Sequence, residues 1–163
     1  MSEKKDITVA FTGHRTYCGE AEKPLQELLQ KLYEQGFRRF LTGMAWGFDL
    51  AAGEAVMRLK EQHDDIELVA AVPFADFHKR FNDVDLERYN AITESADEVV
   101  ILSEEYSKAA YRRRNDFLVD NSSFVVAWWN HQPKGGTAYT IKRAIKQRLG
   151  IVNLCPTPDA ELF

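Results

Sequence analysis

The chain has 163 residues, enough for one domain with a full core over 1–163, and no Pro/Gly/Ser-rich linker, repeat or low-complexity run divides it. With 45% hydrophobic and 28% charged residues it has the composition of a globular protein, and its net charge of -4 argues against a protein held to nucleic acid mainly by charge. The two cysteines, Cys18 and Cys155, are too few for a disulfide framework, and "MSEKKDITVAF" has no long apolar region, so a cytoplasmic protein with neither signal peptide nor membrane span is expected.

In chain order, "ITVAFTG" (7–13) is β-rich and ends in glycine, a first strand. Pro24 opens a helix whose apolar face is Leu25, Leu28, Leu29, Leu32 and Tyr33, with Gly36 as its stop. "FRRFLTG" (37–43) is a second strand, followed by a helix over about 49–62. "IELVAAVPF" (66–74) is a third strand, followed by a polar helical stretch over about 76–95. "EVVIL" (98–102) is the fourth, and a long connection over 103–114 leads to a short helix at 115–120. "SFVVAWW" (123–129), the loop "NHQPKGG", a helix over 137–149 and a sixth strand "IVNL" (151–154) complete the chain.

Strands alternating with helices predict a Rossmann-like α/β fold: a doubly wound, mainly parallel sheet with helices on both faces. In such sheets ligands sit beyond the carboxyl ends of the strands. The sequence places glycines at that edge: Gly13 beside His14 and Arg15, Gly43 and Gly47 before Asp49, and Gly135-Gly136-Thr137 before the last helix. Glycine lets a backbone come close to a ligand, and a helix N-terminus attracts phosphate, so 135–137 is a candidate anion site. The bland alternative is a glycine turn with Thr137 as N-cap.

Asp49 has two readings, a cap on its own helix or an acceptor for sugar hydroxyls. Arg15 suits a bidentate grip on phosphate or carboxylate. Three consecutive arginines in "YRRRN" (111–115) read as a solvated face or as an offset for an anionic ligand. Trp128 and Trp129 read as packing. No His or Cys spacing suggests a metal, and neither a GxSxG elbow, a GxxxxGK[ST] loop nor a GxGxxG fingerprint is present, so no metal or cofactor is expected.

The blocks "AFTGHR", "LTGMAWGFDLAAGEAV", "RRRNDFLVDNSSFVVAWW" and "GGTAYTIKRA" resemble, in order, those of the SLOG superfamily. This is a set of Rossmann-like domains that includes the DNA-processing protein DprA, the LONELY GUY phosphoribohydrolases and the YpsA-like proteins. The resemblance covers Ile7 to about Leu154 and is nearest to the YpsA-like members. It matches Gly13 and Arg15 to the first block, Gly43, Gly47 and Asp49 to the second, Arg114 and Asn115 to the third, and Gly136, Thr137 and Thr140 to the fourth. It implies that these positions face a shared pocket for a nucleotide-derived small molecule, with the glycines making room for it.

One departure matters. The phosphoribohydrolase block "PGGxGTxxE" supplies a catalytic glutamate, and here Thr140 stands in its place. The expectation is therefore a protein that binds a nucleotide or ADP-ribose-like ligand without a catalytic residue. The alternatives are an N-glycosidic hydrolase using Asp49 or Glu54, and a DprA-like binder of single-stranded nucleic acid built on Arg112 to Arg114, against which the acidic charge argues. A homo-oligomer is left open.

Overall fold

The computed structural model describes residues 2–157, so residue 1 and residues 158–163 of the expected domain lie outside the described residues. Strands β1 (Thr8–Gly13), β2 (Arg39–Thr42), β3 (Glu67–Val72), β4 (Glu98–Ile101), β5 (Phe124–Trp128) and β6 (Gly150–Asn153) form one sheet. Its order is β4-β3-β2-β1-β5-β6. Every pairing is parallel, with Val9 opposite both Phe40 and Phe124.

The apolar strand runs split by parity, because successive side chains point to opposite faces. Val9, Phe11, Phe40, Leu68 and Ala70 pack under α2 (Glu22–Glu34), α3 (Phe48–Gln62) and α4 (Asp83–Ser95). Ala10, Leu41, Val69 and Ala71 pack against Leu118 of α5 (Lys108–Asp120) on the other face. Val125 and Ala127 pack beside them against Ile141 and Ala144 of α6 (Gly136–Lys146). The chain winds outward from β1 in both directions. The switch falls between β1 and β5, where the following loops diverge and open a crevice.

The expected α/β class is the observed one, and several boundaries differ. A short helix α1 (Ser2–Asp6), which no apolar periodicity predicts, precedes β1. The polar stretch after β3 divides into a 3-10 turn, Phe77–Arg80, and α4, because the Asn82 side chain accepts from the Asp85 N–H at 2.7 Å and starts a new helix. The long connection predicted over 103–114 is mostly helix. Ser107 accepts from the Ala110 N–H at 3.0 Å and caps α5 at Lys108, so the three arginines lie within a helix and fan out around it. The last helix ends at Lys146 rather than Leu149: Arg148 takes a left-handed φ of 61°, and the Leu149 N–H returns to the Ala144 carbonyl at 3.0 Å.

Candidate functional site

A cavity of about 790 Å³ opens at the carboxyl edge of β1 and β5, within the size range of small-molecule sites. It is lined by Gly13, His14 and Arg15 after β1, Asp49 on α3, Arg114 and Asn115 on α5, and Gly135, Gly136 and Thr137 at the start of α6. Positions more than a hundred residues apart meet here because β1 and β5 are neighbours in the sheet. Gly43, Gly47 and Thr140 do not line it.

The α6 terminus is an open part of the wall. A Cβ on Gly135, whose φ is +106°, would meet nothing within 4 Å, and one on Gly136 would meet only the Asn115 Nδ2 at 3.5 Å. Gly135 is the N-cap and no side chain among the described residues caps this helix, so Thr137 lies in the first turn and the capping reading of Thr137 does not hold. The first N–H groups of a helix lack intrahelical partners and present partial positive charge. Tyr139 Oη donates to Asp116 Oδ1 at 2.7 Å, and Arg143 pairs with Asp120 at 2.9 Å, so α5 holds α6 in place.

The floor is a buried polar group built on Gly43. The Arg114 guanidinium donates from Nη1 to the Gly43 carbonyl and from Nε to Asn115 Oδ1 at 2.8 Å. A Cβ on Gly43 would lie 2.7 Å from Arg114 Nη1 and 2.9 Å from Asp49 Oδ2, so this glycine makes room for protein groups rather than for a ligand. Asp49 does not cap α3, whose N-cap is Gly47; its Oδ2 accepts from the Ala45 N–H at 3.3 Å instead. Its Oδ1 is buried with no hydrogen-bond partner, in a side chain only 5% exposed at the cavity wall. An unpaired buried oxygen carries a desolvation cost that a donor would relieve. Burial pushes the Asp49 carboxyl up to about 6, against the pull of Arg114, the Ala45 N–H and Arg15. Burial likewise lowers the Arg114 guanidinium, and Asp49 opposes this.

Gly47 and Gly13 also serve packing. Gly47 has φ +86°, and a Cβ there would stand 2.6 Å from the Arg15 Cα and the His14 carbonyl oxygen. A Cβ on Gly13 would collide with the Phe48 side chain at 2.5 Å. The loops after β1 and β2 are thereby pressed together, and the Phe48 N–H donates to the His14 carbonyl at 3.2 Å. His14 ties β1 to β5 as well: its Nε2 accepts from the Asn130 N–H at 3.0 Å, which places the ring proton on Nδ1. Thr140 donates to the Gly136 carbonyl at 2.9 Å, is 1% exposed, and steadies the first turn of α6 from within.

Sequence reasoning missed Arg80, Lys134, Tyr106 and Tyr111, which also line the cavity. Arg80 lies 4.2 Å over the Tyr106 ring, and Arg15 lies 4.1 Å over Trp46 and 5.6 Å from Tyr111. No local motif marks these residues; the aromatic rings next to the arginines were the available signal. Among the described residues the outcome is four cations, Arg15, Arg80, Arg114 and Lys134, facing one carboxylate, Asp49, on a protein of net charge -4. Of the "YRRRN" arginines only Arg114 faces the site. Arg113 turns outward to Ser103 Oγ at 2.7 Å, and Arg112 is exposed. Among the described residues no group of three His, Cys, Asp or Glu side chains could hold a metal ion. No helix among them is long and apolar enough to cross a membrane.

Fold and site together define a Rossmann-like domain with a cationic crevice at its switch point. The chain belongs to the YpsA family, described as the YspA SLOG family, whose model matches residues 5–150. It is 30% identical over 138 residues to the uncharacterized SPbeta prophage-derived protein YoqJ of Bacillus subtilis, covering 77% of this chain and 78% of that one. It is 26% identical over 129 residues to the UPF0398 protein BH1768 of Halalkalibacterium halodurans, covering 78% and 68%. Among solved structures it resembles the DNA processing protein A of Streptococcus pneumoniae, with a TM-score of 0.65, 19% identity, and coverage of 90% of this chain and 50% of that one. It also resembles the DNA processing protein A of Helicobacter pylori, studied for its single-stranded DNA binding mode, with a TM-score of 0.64, 16% identity, and coverage of 90% and 64%. At these identities the likeness is one of fold, and the chain spans half to under two thirds of the length of those two proteins.

Proposed function

We propose that this chain is a cytoplasmic binding protein for a nucleotide or a nucleotide-derived, ADP-ribose-like molecule, which it senses or sequesters without turning it over. The observation that carries this reading is the composition of the crevice. An uncapped helix N-terminus and four cations face a single buried carboxylate with one unpartnered oxygen. Phosphate suits the N–H groups and cations, and a sugar hydroxyl suits Asp49 Oδ1.

The hydrolase alternative needs a carboxylate beside the sugar carbon. Thr140 is neutral, bonded to the Gly136 carbonyl and not part of the cavity lining, and Glu54 is held by Arg88 at 2.7 Å and 3.0 Å outside it. Among the described residues that line the cavity, Asp49 is the one carboxylate left for that role. The test is calorimetry with AMP, ADP and ADP-ribose, alongside chromatography of nucleoside monophosphates incubated with the protein. Saturable binding without base release supports the proposal; robust turnover lost in Asp49→Asn overturns it in favour of an enzyme. Steeply salt-dependent binding of an oligonucleotide, with none of a mononucleotide, overturns it in favour of a nucleic-acid binder.

A further inference from the structure

A second cavity, of about 400 Å³, lies on the α2–α4 side of the first, and Arg15 lines both. Its walls come from Trp46 and Gly47 in the loop after β2, Ala51, Glu54 and Arg58 on α3, and Arg88 on α4. The Arg15 guanidinium lies 4.1 Å from the centre of the Trp46 ring, which lines this cavity, and 5.6 Å from that of the Tyr111 ring, which lines the main one. Arg15 is itself exposed and carries no ion pair among the described residues.

The two chambers differ in charge. Four cations face one acid in the main cavity. In the second, Glu22, Glu54 and Asp85 balance Arg15, Arg58 and Arg88, and Arg88 is already engaged by Glu54 and Asp85. A balanced, hydrogen-bonding pocket with an indole wall suits a neutral, hydroxyl-bearing group, while the cationic one suits phosphates. The arginine shared between them is suited to bridging a pyrophosphate, because its planar fork binds two oxygens at once.

From this juxtaposition we infer that the ligand is a two-armed pyrophosphate with a sugar-bearing group at each end, one arm in each cavity and Arg15 at the pyrophosphate. The inference rests on the nucleotide-binding reading and adds to it a second subsite and a preference for extended ligands.

Calorimetry with ADP, ADP-ribose and NAD tests it. At least one of the two extended ligands binds tenfold or more tightly than ADP. Ala51→Leu, which fills the second cavity from a half-buried helical position, removes that gain and leaves the ADP affinity unchanged. Arg58→Glu, at an exposed position of α3, gives the same pattern should Ala51→Leu not fold. Equal affinities for ADP and both extended ligands, or a gain that survives the variants that fold, overturns the second subsite while the nucleotide reading stands. Absence of binding by all three ligands removes both.

Discussion

The Arg114 guanidinium, on α5, donates to the main-chain carbonyl of Gly43 at the end of β2. This bond joins the two sides of the sheet's switch point under the cavity floor and holds a buried cation near the Asp49 carboxyl, which it pulls toward the charged form. Losing it leaves the buried Gly43 carbonyl without its donor and removes the charge that pulls the Asp49 carboxyl down. Arg114→Ala should therefore destabilise the fold by about 1–3 kcal/mol, the cost of stranding a buried polar group. Arg112→Ala, at an exposed position, should stay within about 0.5 kcal/mol. Urea denaturation of the two variants decides; equal effects would mean that the Gly43 contact contributes little.

Asp49 makes the fold respond to pH in a defined direction. Its carboxyl lies at about 6 in the folded protein, against about 3.9 when unfolded. Between those values the folded state holds a proton that the unfolded state has released, so this group's contribution to stability falls as pH rises through the window. A shift of about two units corresponds to roughly 3 kcal/mol. Denaturation curves of wild type and Asp49→Asn from pH 4 to 7 should diverge in slope, the variant lacking this fall. Parallel curves would show that Asp49 ionises freely.

The same substitution bears on binding. Asn keeps one acceptor but gives up the charge, so hydrogen bonds from ligand hydroxyls weaken. ADP-ribose affinity at pH 7.5 should drop by about tenfold, or roughly 1.4 kcal/mol, in calorimetry. An unaltered affinity would confine Asp49 to holding the Ala45 turn.

Gly136→Val tests the helix terminus without a steric objection from the protein, since a Cβ there meets only Asn115 Nδ2 at 3.5 Å. The added methyl groups enter the open cavity where a phosphate oxygen would lie. A tenfold or greater loss of nucleotide affinity is expected, roughly 1.4 kcal/mol, with a melting temperature within a few degrees of wild type. Full affinity in the folded variant would reduce Gly135-Gly136 to a turn.

Thr140→Glu does not simply restore a missing catalytic group. The position is 1% exposed and its hydroxyl is bonded to the Gly136 carbonyl. A glutamate there loses that bond and buries a charge, so a destabilisation of several kcal/mol and no base release are expected. Chromatography of incubated AMP and urea denaturation together provide the check. Base release from a stable variant would show that this face of α6 opens toward the cavity after all.

Strand order along the chain, the apolar runs and the edge carrying the glycines were legible in the sequence, because periodicity and turn chemistry are local. So was the distinction of Arg114 and Asn115 within "YRRRN", though only through family resemblance and not from the arginines themselves. The start of α5 was not, since a helix entry at Ser107 with no apolar periodicity reads as loop until its cap is seen. Nor were the roles of Gly13, Gly43 and Gly47. A sequence shows that a backbone needs room but not which group claims it, and here the claimants are Phe48, Arg114 with Asp49, and the backbone of the loop after β1. The membership of Arg80 and Lys134 in the cavity, and the position of Arg15 between two chambers, were decided by tertiary structure alone. Those residues come from loops and turns whose meeting depends on the order of strands in the sheet, and strand order is set by long-range packing that no local pattern records.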